Sequence, residues 1–168
     1  MIPETSIIQW RQQAPWKQPH QVEQDLVLSR ALVEIFSDEF LADRLVLRGG
    51  TALHKLFLAP PRRYSEDIDL VQIQADGAPV GETMDRLREL ISPWLGAPKY
   101  KVARGMATQV YRFESEDRPP VPLRLKIEIN YEESFSLLPV TSRKFLVENR
   151  WFQGSTWWSA KTCRFWGG

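Results

Sequence analysis

Two short motifs in this sequence contain residues whose types and spacing suit chemistry on a phosphate group. Asp67 and Asp69 stand two residues apart on a predicted strand, so both carboxylates project from one face, about 6.5–7 Å apart at Cα. Paired carboxylates hold Mg²⁺ or Mn²⁺, and two such ions about 3.5–4 Å apart activate an attacking oxygen and steady a leaving pyrophosphate. The pair is therefore a candidate metal site, with a solvated strand face as the alternative.

The second motif is a glycine turn that lies upstream of the acids. Gly49, Gly50 and Thr51 follow the apolar run 45–47 and precede a predicted helix over 51–58. Glycines at such a junction let backbone N–H groups approach a phosphate, and the helix dipole favours its charge. The alternative is a simple tight turn, since neither the P-loop nor the Gly-x-Gly-x-x-Gly pattern is present.

A third polar pair, Lys126 and Glu128, lies on a strand predicted over 122–131. Apolar and polar residues alternate strictly there, so the pair occupies the polar face. If this strand neighbours the Asp strand, Lys126 would bind phosphate and Glu128 would complete the metal site. The alternative is a salt-bridged outer face of an antiparallel sheet.

The elements that must position these residues follow from periodicity and from turn signals. Apolar residues at helical spacing predict helices over 21–40 and 81–95. A strand is predicted over 64–74, and strands over 100–103, 109–113 and 122–131 form an antiparallel meander. The sequence therefore predicts an α+β domain whose mixed or largely antiparallel sheet carries helices mainly on one face.

Outside this core the periodic patterns are lost. Residues 1–20 contain three prolines and two isolated tryptophans, which indicates an irregular arm whose aromatic side chains dock on the core. Residues 21–151 form the predicted core domain. The segment 152–168 is rich in Trp, Ser and Gly without either periodicity, so we expect an irregular tail.

Composition bounds the class of protein. The chain of 168 residues has a formal net charge of +1, so no global field favours nucleic acid or an anionic membrane. Cys163 is the only cysteine, which excludes an intramolecular disulfide and a thiolate zinc cage. With no signal peptide and no membrane-spanning run, we expect a cytoplasmic protein.

Four motifs together resemble the AbiEii/AbiGii toxin family of nucleotidyltransferases, whose fold is similar to the DNA polymerase β superfamily. Its members are the toxin half of bacterial toxin–antitoxin systems linked to phage defence. The likeness covers about residues 10 to 155. The motifs are Gln-Val-Glu-Gln-Asp-Leu from Gln21, Leu-Arg-Gly-Gly-Thr-Ala-Leu-His-Lys-Leu from Leu47, Arg-Tyr-Ser-Glu-Asp-Ile-Asp-Leu from Arg63, and Leu-Lys-Ile-Glu-Ile-Asn from Leu125.

The resemblance implies a role for each motif. The glycine turn, with Gly49, Gly50 and Thr51, would grip the phosphates of a nucleoside triphosphate. Asp67 and Asp69 would bind Mg²⁺ or Mn²⁺, and Lys126 matches the third motif. The implied reaction moves a nucleoside monophosphate to an RNA, possibly tRNA, or to a protein acceptor, and the implied partner is a cognate antitoxin.

One family feature is missing from this sequence. Members typically carry a fourth motif, with a further Asp, in a helical C-terminal half. We therefore expect either a truncated or frameshifted member whose segment 152–168 is not family sequence, or a site in which Glu128 serves as the third acid. The alternative function is a catalytically incomplete fragment that binds nucleotide or antitoxin.

Overall fold

The computed structural model describes residues 1–49, 55, 64–73, 79–132 and 140–161. Four helices and seven strands occur in these ranges. The helices are α1 (Glu4–Trp10), α2 (Pro19–Ser37), α3 (Glu39–Arg44) and α4 (Val80–Leu95). The strands are β1 (Leu45–Arg48), β2 (Asp67–Gln72), β3 (Lys99–Ala103), β4 (Met106–Glu114), β5 (Pro122–Asn130), β6 (Val140–Glu148) and β7 (Gln153–Lys161).

The seven strands form one mixed sheet in the order β3-β4-β5-β2-β1-β7-β6. The pairs β2–β5 and β1–β7 are parallel, and the other neighbours are antiparallel. The β3–β4–β5 meander confirms the sequence prediction. Because β2 pairs with β5, the two strands that carry the candidate site residues lie side by side at the centre of the sheet.

The described helices cover one face of this sheet. Apolar residues of α1, α2 and α4 form a single buried cluster with the inward side chains of the central strands. Leu47, Ile68, Leu70 and Ile127 are among those inward side chains, each at most 1% exposed. Burial of this apolar surface is the main stabilising contribution. The predicted α+β architecture with helices on one face is confirmed.

The long helix predicted over 21–40 is two helices. Asp38 interrupts it with an extended backbone, and its side chain accepts a hydrogen bond from the N–H of Leu41 at 3.0 Å. An Asp at this position caps a new helix better than it continues the old one. The chain therefore turns at Asp38 and α3 leads directly into β1.

The N-terminal arm is partly helical, so the prediction that residues 1–20 are irregular is wrong for α1. The expected docking of its aromatic residues is confirmed. Trp10 is 4% exposed, and its Nε1–H donates to Asp25 Oδ2 at 2.8 Å. Trp16 packs edge-on against Tyr64, with ring centroids 5.8 Å apart.

The prediction of an irregular segment from Phe152 onward is wrong for β7, which pairs with β1 on one side and β6 on the other. Residues 162–168 lie outside the described ranges. The turn before β7 is also packed, because the Arg30 guanidinium lies 4.6 Å from the ring centroid of Trp151 and 5.0 Å from that of Phe152. Among the described residues, no helix is long and apolar enough to cross a membrane.

Candidate active site

The register of the central strands brings the predicted acids and the predicted lysine together. Asp67 lies opposite Lys126 and Asp69 lies opposite Glu128 in the parallel β2–β5 pair. On the other side of β2, Arg48 of β1 lies opposite Asp69. All five side chains share the sheet face that the described helices leave uncovered, because their neighbours along each strand point into the core.

Local sequence explains this placement. In β2 the residues Ile68 and Leu70 are buried in the core beneath the helices, so the pleat turns Asp67 and Asp69 to the opposite face. A shift of register by one residue would bury both carboxylates among apolar side chains, which is strongly unfavourable. The hydrophobic pattern thus fixes the orientation of the acids.

The backbone of Gly49 lies against an acid of β2. Its φ is +83°, in the left-handed region that favours glycine. A Cβ at this position would stand 2.8 Å from Asp69 Oδ2, so the backbone passes directly against the carboxylate. Gly50 and Thr51, with the helix predicted over 51–58, lie outside the described residues, and their role in phosphate binding stays a prediction.

Two further carboxylates, those of Asp67 and Glu128, lie close to Asp69. Burial, with the charges of Glu128 and Asp67, raises the pKa of its carboxyl, while Arg48 and Lys126 act in the opposite direction. The Lys126 pKa is also raised, mainly because its ammonium donates to Glu128 and also because Asp67 lies nearby. Three carboxylates therefore crowd a small area that contains two cationic side chains.

Lys126 and Glu128 form an ion pair with an Nζ–Oε1 distance of 2.6 Å, and each side chain is less than one-third exposed. The salt bridge that the sequence suggested as the alternative role of these two residues is therefore present. It lies beside the Asp pair rather than on a remote outer face, so it does not exclude a role in the site. The use of Glu128 as a third acid stays a prediction.

The donor set suits a divalent cation that binds together with a substrate. Within the described ranges, no group of three or more His, Cys, Asp or Glu residues is arranged to hold a metal ion. Mg²⁺ rarely needs such a cage, since it keeps several waters and binds through one or two carboxylates plus substrate phosphates. Asp67 and Asp69, with hard oxygen donors and crowded negative charge, fit that requirement.

One structural feature of the site region was missed from the sequence, namely a buried ion pair between α2 and the glycine-turn motif. Lys55 Nζ donates to both carboxylate oxygens of Asp25, at 2.8 and 2.9 Å, and to Ser29 Oγ at 3.0 Å. Asp25 and Lys55 belong to two different motifs of the family resemblance. Their opposite charges within those motifs were the only feature of the sequence that could have indicated the ion pair. The pair ties Lys55 to α2.

The fold is similar to that of MenT4, a nucleotidyltransferase toxin from Mycobacterium tuberculosis H37Rv, with a TM-score of 0.50 and 14% sequence identity. The similarity covers 96% of this chain and 55% of that chain, so this chain spans little more than half the length of MenT4. At this identity the likeness concerns the fold alone. None of the curated proteins has a matching sequence.

The family comparison covers most of the chain. Residues 30–156 match the family described as nucleotidyl transferase AbiEii toxin of type IV toxin–antitoxin systems. The match begins within α2, includes the Asp pair, Lys126 and Glu128, and extends to the beginning of β7. It confirms the resemblance drawn from the four motifs: the chain belongs to the AbiEii family of nucleotidyl transferase toxins.

Proposed function

We propose that this chain is the core of a metal-dependent nucleotidyltransferase that moves a nucleoside monophosphate from a nucleoside triphosphate to an acceptor hydroxyl. The observation that carries the proposal is the convergence of Gly49, Asp67, Asp69 and Lys126 on the sheet face that the described helices leave uncovered. Turn, paired acids and cation come from three separate sequence motifs. A solvated strand face would not require a backbone pressed against one of its carboxylates.

Each group has a task in this reaction. The turn at Gly49, Gly50 and Thr51 binds the triphosphate through backbone N–H groups, and Asp67 with Asp69 holds Mg²⁺ or Mn²⁺. When bound, these ions supply Lewis-acid stabilisation of the charge on the reacting phosphate. Lys126 places a positive charge beside the same face.

The bond changes are those of an in-line displacement. The acceptor oxygen attacks the α-phosphorus, the bond from that phosphorus to the bridging α,β-oxygen breaks, and pyrophosphate leaves. The proton of the acceptor hydroxyl passes to the carboxylate of Asp69. Asp69 is assigned this task because its carboxylate lies against the backbone of Gly49, where the triphosphate is proposed to bind.

The biological setting follows from the family. We propose that the protein acts in the bacterial cytoplasm as the toxin of a toxin–antitoxin pair, is neutralised by a cognate antitoxin, and serves in phage defence. The acceptor is an RNA, with tRNA as the first candidate, or a protein. Both NTPs and these acceptors are cytoplasmic, and family membership supports the antitoxin.

Labelled nucleotides test the reaction. Protein is incubated with each of the four NTPs, labelled at the α- or at the γ-phosphate, with Mg²⁺ or Mn²⁺ and with total RNA or total protein. Incorporation of α-label without γ-label is expected for one NTP. Incorporation of γ-label would indicate phosphoryl transfer, and NTP binding in calorimetry without any incorporation would favour the alternative of a binding fragment.

A further inference from the structure

Two arginines face each other next to the candidate active site. Arg112 of β4 and Arg124 of β5 are direct partners in the antiparallel pair, so their Cβ atoms lie about 4.5–5.5 Å apart on one face. That face is the one that carries Lys126, since Arg124 and Lys126 are two residues apart on β5. Like charges directly opposite each other destabilise a sheet unless a negative charge lies between them.

Only one of the two arginines has a recorded ion partner in the described part of the chain. Glu66 Oε2 lies 3.7 Å from Arg124 Nε. Arg112 has no recorded ion pair or hydrogen bond among the described residues, and its side chain is exposed. A phosphate group that bound both guanidinium groups would therefore give Arg112 a partner and would screen the repulsion between the two like charges.

The two arginines line a cleft, and the strand that carries Arg124 is held in place by a hydrogen bond to α2. A cleft of about 230 Å³ is lined by both arginines, Glu66, Pro122 and Leu123. The backbone carbonyl of Arg124 accepts a hydrogen bond from Gln24 Nε2 at 2.8 Å, which ties this part of β5 to α2. A planar guanidinium fork on a rigid strand is well suited to bind phosphate oxygens.

Strand order places this cleft on the acceptor side of the reaction. The order β1-β2-β5-β4 puts the acids of β2 between the glycine turn that follows β1 and the arginines of β5 and β4. In an in-line displacement the attacking oxygen and the leaving pyrophosphate lie on opposite sides of the phosphorus. With the triphosphate at Gly49, the two arginines lie on the opposite side of the acids, where an acceptor aligned along the sheet would approach.

We propose that Arg112 and Arg124 form a subsite for a backbone phosphate of the polynucleotide acceptor. This inference rests on the proposed function. It adds the place where the acceptor binds and the group that is recognised, which is a phosphodiester close to the reacting hydroxyl.

RNA binding tests the subsite independently of catalysis. The variant Arg112→Gln/Arg124→Gln is compared with Arg11→Gln/Arg88→Gln, which removes the same charge from exposed arginines of the helical layer. A fluorescent single-stranded RNA oligonucleotide is titrated at several KCl concentrations. We expect binding to weaken about tenfold in the site variant and to stay unchanged in the control. In the site variant, the slope of log K against log [KCl] should also become shallower by about 0.7, the value for one lost phosphate contact.

Three results of the binding measurements would overturn the subsite: RNA binding that is absent in the wild type, RNA binding that is equal in the two variants, and NTP affinity in calorimetry that falls in the site variant. Label transfer to protein in place of RNA would also overturn it, while leaving the proposed reaction intact. A wild-type protein that binds RNA through the two arginines but transfers no label would instead contradict the proposed function and keep the subsite.

Discussion

The backbone of Gly49 lies so close to Asp69 that a single added carbon would collide with the carboxylate: an ideal Cβ at Gly49 stands 2.8 Å from Asp69 Oδ2. This contact joins the end of β1 to the acid of β2 and leaves no space between the glycine turn and the candidate metal site. A group bound at the turn is therefore within reach of the Asp69 carboxylate.

Gly49→Ala should damage both stability and activity. The φ of +83° is unfavourable for alanine, and the new methyl group must displace the Asp69 carboxylate. We expect a loss of about 1–3 kcal/mol in the free energy of unfolding and a fall in label transfer of more than about tenfold. Urea unfolding and the transfer assay measure the two effects.

Gly81→Ala is the matched control. A Cβ at Gly81 in α4 meets no atom within 4 Å, so this variant should gain up to about 1 kcal/mol of stability from higher helix propensity and keep full activity. If Gly49→Ala behaved like Gly81→Ala, the close contact with Asp69 would be wrong.

The buried pair of Asp25 and Lys55 should show strong energetic coupling. Lys55→Met leaves the Asp25 carboxylate buried without its cation, and Asp25→Asn leaves the ammonium without its anion. Each single variant should lose about 3 kcal/mol or more, and the double variant less than the sum, with a coupling energy of about 1–3 kcal/mol. A double-mutant cycle by urea unfolding measures this energy, and strictly additive losses would contradict the pairing.

Glu23 should make stability depend on pH. Burial raises the pKa of its carboxyl to about 7, and the nearby charges of Glu116 and Asp117 add to the effect, while the backbone N–H of Glu116 and the amino terminus oppose it. The folded protein therefore binds the proton of the Glu23 carboxyl more tightly than the unfolded chain does. This binding adds to the free energy of unfolding in full below pH 4.5, and the added stability is lost as the pH rises to about 7.

Glu23→Gln tests this assignment. Gln keeps the acceptor for the Glu116 N–H and removes the titration. The free energy of unfolding of the wild type should fall by roughly 2–3 kcal/mol between pH 5 and pH 8 relative to the variant. Parallel pH profiles for the two proteins would show that another group is responsible.

Much of this fold could be predicted because several elements carry one clear period. β5 alternates apolar and polar residues throughout, and α4 has one apolar face, so both were found close to their observed bounds. The Asp pair was found for the same reason. Its register opposite Lys126 and Glu128 could not be predicted, because strand neighbours in a parallel pair are distant in sequence and no local pattern encodes them.

β7 was missed because its first two inward positions are a glycine and a polar residue, which produce no hydrophobic pattern. A Cβ at Gly154 would lie 2.8 Å from Val33 Cγ1, so the strand needs a glycine where α2 packs against it. Thr156, the next inward residue, is polar although it is buried. Periodicity detects strands that bury large apolar side chains, and β7 instead pairs with β1 from a distant part of the chain.

Replacement by alanine should affect stability differently at Trp151, which precedes β7, and at Trp157, which lies in β7. Trp151 packs against Trp94, with ring centroids 5.7 Å apart, and against the Arg30 guanidinium, whereas Trp157 is 63% exposed. Trp151→Ala should lower the free energy of unfolding by about 2–3 kcal/mol, and Trp157→Ala by less than about 1 kcal/mol. An equal loss in both variants would mean that the turn before β7 is not packed as described.

The acids of β2 should be essential for nucleotidyl transfer, and the double variant Asp67→Asn/Asp69→Asn shows whether they are. The control is Asp43→Asn/Asp85→Asn, with both changes in helices on the other side of the sheet. Transfer of α-labelled nucleotide is measured at saturating Mg²⁺ for both variants and the wild type. We expect a loss of at least about 100-fold in the site variant alone, with its unfolding midpoint preserved. Transfer that stays at the wild-type rate in the site variant would contradict this expectation.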